Sequence, residues 1–146
     1  MKLKFIFLGK KNSESFNSFM IQYLKRLNGY TKSEVLFFSE KNEIKLGKKV
    51  LAHIKIGDFF IILDERGQCM NTLDYAQFIR EKTENYDSII FLVGGAFGVP
   101  KSIVDRCHAF ISLSKMTFPH LVARLILLEQ TYRAFTILNN HPYHHE

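Results

Sequence analysis

Two short stretches, DFFIILD (58–64) and SIIFLVGG (88–95), are apolar at nearly every position. A strand hydrophobic on both faces has to be covered on both faces, which is the situation of a parallel sheet between layers of helices. The rest of the chain fits that frame. LKFIFLG (3–9), SEVLFFS (33–39) and HAFISLS (108–114) are three more short apolar runs, the first ending at Gly9. Between them, SESFNSFMIQYLKRL (13–27) places Phe16, Phe19, Met20, Tyr23, Leu24 and Leu27 at helical spacing. It predicts an amphipathic helix capped by Asn12 or Ser13. NEIKLGKKVLAHI (42–54) predicts a weaker helix interrupted by Gly47. Residues 67–86 contain a helix with Asn71 or Thr72 as its cap, a short helix follows Pro100, and the longest helix fills 119–140. Strands alternating with helices predict one α/β domain over 1–146, with a largely parallel sheet of about five strands.

The 146 residues suffice for one domain with one core. No apolar run reaches the ~20 residues of a membrane span. The opening MKLKFIFLGKK has too short an apolar stretch for a secretory leader and lacks a small-residue cleavage site, so it reads as a first strand. Cys69 and Cys107 form no Cys-x-x-Cys pair, and two reduced thiols in a cytosolic protein are expected. The net charge is +6. Residues 1–55 hold 12 Lys/Arg against 4 Asp/Glu, while 56–146 hold 8 against 10. A basic first third suggests a polyanion such as RNA, with Lys48, Lys49 and Lys55 as candidate phosphate contacts; a solvated lysine face is the alternative.

The last helix is apolar nearly all round: Leu121, Val122, Leu125, Ile126, Leu127, Leu128, Tyr132, Phe135, Ile137 and Leu138 leave Arg124, Glu129, Gln130 and Arg133 as its few polar residues. Such a helix is buried on more than one side. One side is expected on the sheet and the other against a second subunit; the central helix of a monomer is the alternative. Glu129 and Arg133 stand i,i+4 in the favourable order.

Open α/β sheets bind ligands beyond the carboxyl ends of their strands. Three such ends are unusual here: LDERG (63–67), a charged turn closed by glycine; VGGAFG (93–98), where paired glycines admit close approach to the backbone; and LSKMTFPH (113–120), an irregular loop before a helix. The chain then closes on NNHPYHHE (139–146).

In their order, LD..G, GG..G, SLSKMTFPH, LLEQTYRA (127–134) and NHPYH resemble the SPOUT-class ribosomal RNA large-subunit methyltransferase H family, over essentially the whole chain. The resemblance implies methylation of N3 of a pseudouridine in helix 69 of 23S rRNA, on assembled ribosomes, by a cytoplasmic enzyme. It also implies a C-terminal deep trefoil knot, a homodimer through the last helix, and S-adenosylmethionine as methyl donor with no metal. By position, the family's cofactor contacts fall on Leu63, Gly94, Leu113, Ser114, Lys115, Met116, Thr117 and Phe118. Leu63, Leu113, Met116 and Phe118 would supply an apolar slot for adenine, and Gly94 or Gly95 room for the ribose or methionine part.

The family pattern singles out His120 and His144, either of which could take the N3 proton. Tyr143 would stack on or hydrogen-bond the base. Arg124 or Arg133 would hold a phosphate or the uracil anion, although Arg133 is better explained by pairing with Glu129. Family members commonly end in Tyr-His followed by Arg or Lys; here His145 takes that place. Two other classes compete. A non-catalytic RNA-binding module explains the basic first third but not the loops. A metal-dependent hydrolase would use His141, His144 and His145, but Pro142 interrupts a helical presentation of them and no Cys or acidic residue stands nearby at metal-ligand spacing.

Overall fold

The structure is a computed structural model that describes residues 1–11 and 14–145. The expected cap at Asn12 or Ser13 lies outside the described residues. Five strands, β1 (Lys2–Leu8), β2 (Lys32–Phe38), β3 (Asp58–Cys69), β4 (Ser88–Val93) and β5 (Ala109–Ser112), alternate with α1 (Glu14–Asn28), α2 (Glu43–Leu51), α3 (Thr72–Asn85), α4 (Lys101–Val104) and α5 (His120–Leu138). All five strands are parallel, in the order β2-β1-β4-β3-β5. Their carboxyl ends therefore share one edge.

Both faces of the sheet are covered, as the apolar β3 and β4 require. On one face Phe5, Phe7, Phe59, Ile61 and Phe91 pack under α1, α3 and α5. Phe5 and Phe91 stack across neighbouring strands at 5.0 Å. On the other face Ile6, Phe60, Ile62, Ile90 and Leu92 pack under α2 and α4. Asn71 caps α3, its side chain accepting from Asp74 N.

Two local expectations are corrected. Gly47 does not interrupt α2. It is buried inside the helix, where a Cβ would lie 2.7 Å from Ser102 Oγ, so the glycine lets α4 approach. Nor does β3 end at Asp64; it runs on to Cys69.

Helix α5 lies between α1 and α3 over the sheet. Tyr75 and Thr131 hydroxyls bond at 2.8 Å, and Thr72 Oγ1 donates to Gln130 Oε1 at 2.9 Å. No residue from Leu121 to Leu138 is exposed. Much of the all-round apolarity that suggested a second subunit is thus satisfied within the chain; Leu128, for example, is 0% exposed. Val122, Leu125 and Ile126 remain half-buried.

Arg124 is 0% exposed, which corrects its assignment as a substrate contact: no part of it is offered to a phosphate or a base. Its Nη2 donates to Leu8 O at 3.0 Å and its Nη1 to Lys10 O at 3.1 Å. Its guanidinium lies over the rings of Phe7 and Phe37. Between the two carbonyls, Gly9 has φ 120°, and a Cβ there would come within 3.2 Å of Nη2. Arg124→Met keeps most of the aliphatic stem and removes the donors. We expect it to lower the unfolding free energy by about 2–4 kcal/mol, because two carbonyls lose their partner. Urea denaturation measures this; a change below ~0.5 kcal/mol would show that the anchor is dispensable.

Candidate active site

At the carboxyl edge of the sheet, the ends of β3, β4 and β5 open around a cavity of about 710 Å³. Each wall departs from regular structure for a local reason. In β3, Leu63 pairs with Ile111, and so does Gln68, so residues 64–67 bow out of the ladder. The bow is braced by Arg66, whose backbone N donates to Asp64 Oδ1 at 2.8 Å and whose Nη2 donates to Oδ2 at 3.1 Å. These bonds hold the Asp64 carboxyl below the usual carboxylate range, so it stays ionised. The bow closes at Gly67, where a Cβ would lie 2.7 Å from the Phe110 backbone.

The second wall follows β4. Gly95 abuts β1, and a Cβ there would sit 2.7 Å from Leu8 O. Gly95 bridges to Gly98, whose φ of 76° favours glycine. At Gly94 a Cβ would meet Val99 Cγ2 at 3.1 Å. The third wall is the loop after β5. Ser112 Oγ donates to Ser114 O at 2.6 Å, and Met116 N donates to Ser114 Oγ at 3.0 Å. Thr117 Oγ1 donates to Glu65 Oε2, tying this loop to the β3 bow across the mouth.

Of the residues expected at a cofactor, Leu63, Gly94, Leu113, Met116, Thr117 and Phe118 line the cavity. Ser114 and Lys115 do not; the Ser114 side chain serves the loop's own turn, and Lys115 is exposed. His120, the first residue of α5, is on the cavity wall. Glu65, Phe110 and Ala123 also line it and were not singled out. Only register could have found them, since each becomes a wall residue through the bow in β3 or the start of α5.

The tail is elsewhere. It folds back on the last turns of α5, with His141 N donating to Thr136 O at 2.8 Å. Tyr143 packs edge-on against Tyr132 at 4.8 Å and donates its hydroxyl to Glu129 Oε1 at 3.1 Å. Burial first, then Tyr23 and Glu129, push the Tyr143 phenol well above its ordinary value, so it is a neutral donor. Arg133 does pair with Glu129, Nε and Nη2 donating to Oε1 at 2.9 and 2.6 Å. Its Nη1 lies 3.1 Å from His144 Nδ1. His120 and Arg133 are thirteen residues apart on one helix, roughly 20 Å at 1.5 Å per residue. A single chain therefore does not bring His120 together with Tyr143 and His144. Among the described residues, no group of three or more His, Cys, Asp or Glu is arranged to hold a metal, and no helix is long and apolar enough to cross a membrane.

Comparison with known proteins places this geometry. Residues 1–144 match the family model described as predicted SPOUT methyltransferase. Ribosomal RNA large subunit methyltransferase H of Parabacteroides distasonis is 34% identical over the full length of both chains. The Bacteroides fragilis protein of the same name is 37% identical over 93% of this chain and 83% of its own. Among solved structures, a probable rRNA-methyltransferase from Porphyromonas gingivalis superposes with a TM-score of 0.60 at 13% identity, covering 94% of this chain and 69% of that one. The SpoU methyltransferase AviRb of Streptomyces viridochromogenes, solved with AdoMet, gives 0.50 at 10% identity, covering 94% of this chain and 61% of that one. With a family model spanning nearly every residue and curated relatives aligned end to end above 30% identity, this chain belongs to the SPOUT methyltransferases, in the ribosomal RNA large subunit methyltransferase H family.

Proposed function

We propose that the protein transfers a methyl group from S-adenosylmethionine to N3 of a pseudouridine in helix 69 of 23S rRNA, with the ribosome as substrate. The observation that carries this is the coincidence of full-length family membership with a cavity walled by all three motif loops. The cavity suits the donor. Its volume falls within the range of small-molecule sites, ~300–1,000 Å³. Leu63, Leu113, Met116 and Phe118 offer apolar atoms to adenine, Gly94 and Gly95 present bare backbone, and with Asp64 paired to Arg66 the Glu65 carboxylate leaves the rim one net negative charge for sulfonium and ammonium charge.

Bound there, S-adenosylmethionine would supply a methyl made electrophilic by its sulfonium, the electrons of the broken C–S bond staying on sulfur. The chain's own residues orient the uracil so that its N3 lone pair meets that methyl, and they remove the N3 proton. His120 stands on the cavity wall, and we assign it the role of receiving that proton. Arg124 acts at a distance, by holding the first turns of α5 against β1.

The tail serves the same reaction only if it reaches a cavity other than its own. We therefore take the working unit to be a homodimer joined through α5, with each tail directed to the partner's cavity. Val122, Leu125 and Ile126 are the half-buried residues available for that contact. We also take the C-terminal part to be threaded as the trefoil knot of the family. For RNA phosphates, Lys10 and Lys11 follow β1 at the cavity edge, and Lys41 and Lys45 flank the start of α2. Lys55, just before β3, lies at the opposite edge, and Lys49 faces Glu40 at 3.6 Å, so these are weaker candidates than the sequence suggested.

Titration calorimetry should show S-adenosylmethionine binding to the wild type and to a chain lacking 141–146, but not to Gly94→Val. Equal binding by Gly94→Val would remove Gly94 from the site, and no binding by the wild type would exclude the cofactor. The truncated chain should bind the donor yet fail to methylate ribosomes. Mixing it with His120→Ala chains should restore about a quarter of the wild-type rate, because half of the randomly formed dimers carry one complete site. A mixture as inactive as its parents would place both elements in one chain's site.

A further inference from the structure

We propose that Arg133 is a positioning residue that holds His144 as the neutral imidazole with its proton on Nε2, so that the tail offers the reaction a hydrogen-bond donor and not a base. The catalytic half of this inference rests on the methyltransferase reading; the tautomer does not. A guanidinium carries five N–H donors and no acceptor. Arg133 Nη1 stands 3.1 Å from His144 Nδ1, so Nδ1 must present its lone pair and the ring proton must sit on Nε2. The guanidinium cannot turn away easily. Glu129 Oε1 fixes its other edge through Nε and Nη2, and the Tyr143 ring lies 4.8 Å from Cζ.

This is the reverse of a histidine activated for catalysis. A carboxylate on Nδ1 keeps a proton there, leaves Nε2 free to accept another, and stabilises the cation that results. Here the carboxylate is spent on the arginine, and the arginine faces the ring. A proton added to Nδ1 would set one N–H against another and two cations side by side. Among the described residues, the other charged or titratable groups around the network are Tyr143, Tyr132 and Tyr23, with Arg26 over the Tyr23 and Tyr132 rings. Of these described groups, Glu129 is the one that carries negative charge while the phenols are neutral, and three of its contacts are already taken by Arg133 and Tyr143. His144 Nε2–H would thus donate to a uracil carbonyl oxygen, where charge gathers as N3 loses its proton. That leaves proton removal to His120.

The test is a long-range proton–nitrogen spectrum of the full-length protein with labelled histidine, His144 being assigned by its disappearance in His144→Gln. The expected signature near neutral pH is an unprotonated Nδ1 and a protonated Nε2. In Arg133→Met, with no donor facing Nδ1, the ring proton should divide between the two nitrogens. A protonated Nδ1 in the wild type near neutral pH, or a tautomer unchanged in Arg133→Met, overturns the proposal. In activity, His144→Ala should lose ~10²-fold in kcat, and His144→Gln, whose amide N–H substitutes for Nε2–H, should recover at least ~10-fold with the same pH profile. A His144→Gln protein as inactive as His144→Ala would make His144 the base. A wild type that methylates no ribosome would sink the methyltransferase reading, while the spectrum would still decide the tautomer.

Discussion

The Leu8 carbonyl is where three parts of the molecule meet. It accepts Arg124 Nη2 from α5, and Gly95 of the β4 loop lies so close that a Cβ would come within 2.7 Å of it. The left-handed Gly9 beside it turns the chain so that Lys10 O reaches the same guanidinium. A buried charge costs stability unless its donors are used, and burial pulls this guanidinium below its ordinary value without neutralising it. The return is geometric. The first turns of α5, which carry His120, are pinned to the end of β1, and the glycine loop is pinned beside them.

The rest of the site follows from small irregularities on a regular sheet. Four residues bow out of β3 and return through Gly67; two glycines let the β4 loop press on β1; one serine folds the loop after β5. The Glu65–Thr117 bond joins the first of these to the last. None contributes much to the core, which lies below them in the aromatic and aliphatic layers of β1, β3 and β4. The cavity is therefore held by local hydrogen bonds on a rigid floor, an arrangement suited to admitting and releasing a small molecule.

The sequence was most legible where one physical rule dominates. The doubly apolar runs could only be central parallel strands, and Asn71 could be read as a cap because its side chain competes for the free amides of the next turn. It was misleading where a tertiary partner overrides the local signal. DERG looks like a turn by composition, yet the ladder to β5 resumes beyond it. Gly47 looks like a helix breaker, and is there because α4 comes close. Arg124 looks like a surface cation on an apolar helix, and only the fold shows the carbonyls that claim it. The loop after β5 was identified as a stretch, but which of its residues face inward depended on the Ser114 turn. The chemistry itself was not legible from periodicity or charge; it came from the order of the motifs along the chain.

The central claim is that the motif loops and the tail together methylate one uracil nitrogen. It is tested most directly by incubating the protein with ribosomes that lack the modification and with S-adenosylmethionine carrying an isotopically labelled methyl group, then locating the label by mass spectrometry of nuclease fragments. The account predicts a single labelled pseudouridine in 23S rRNA, substituted at N3. Label on another atom or another RNA, or none with a donor-bound protein, would contradict it.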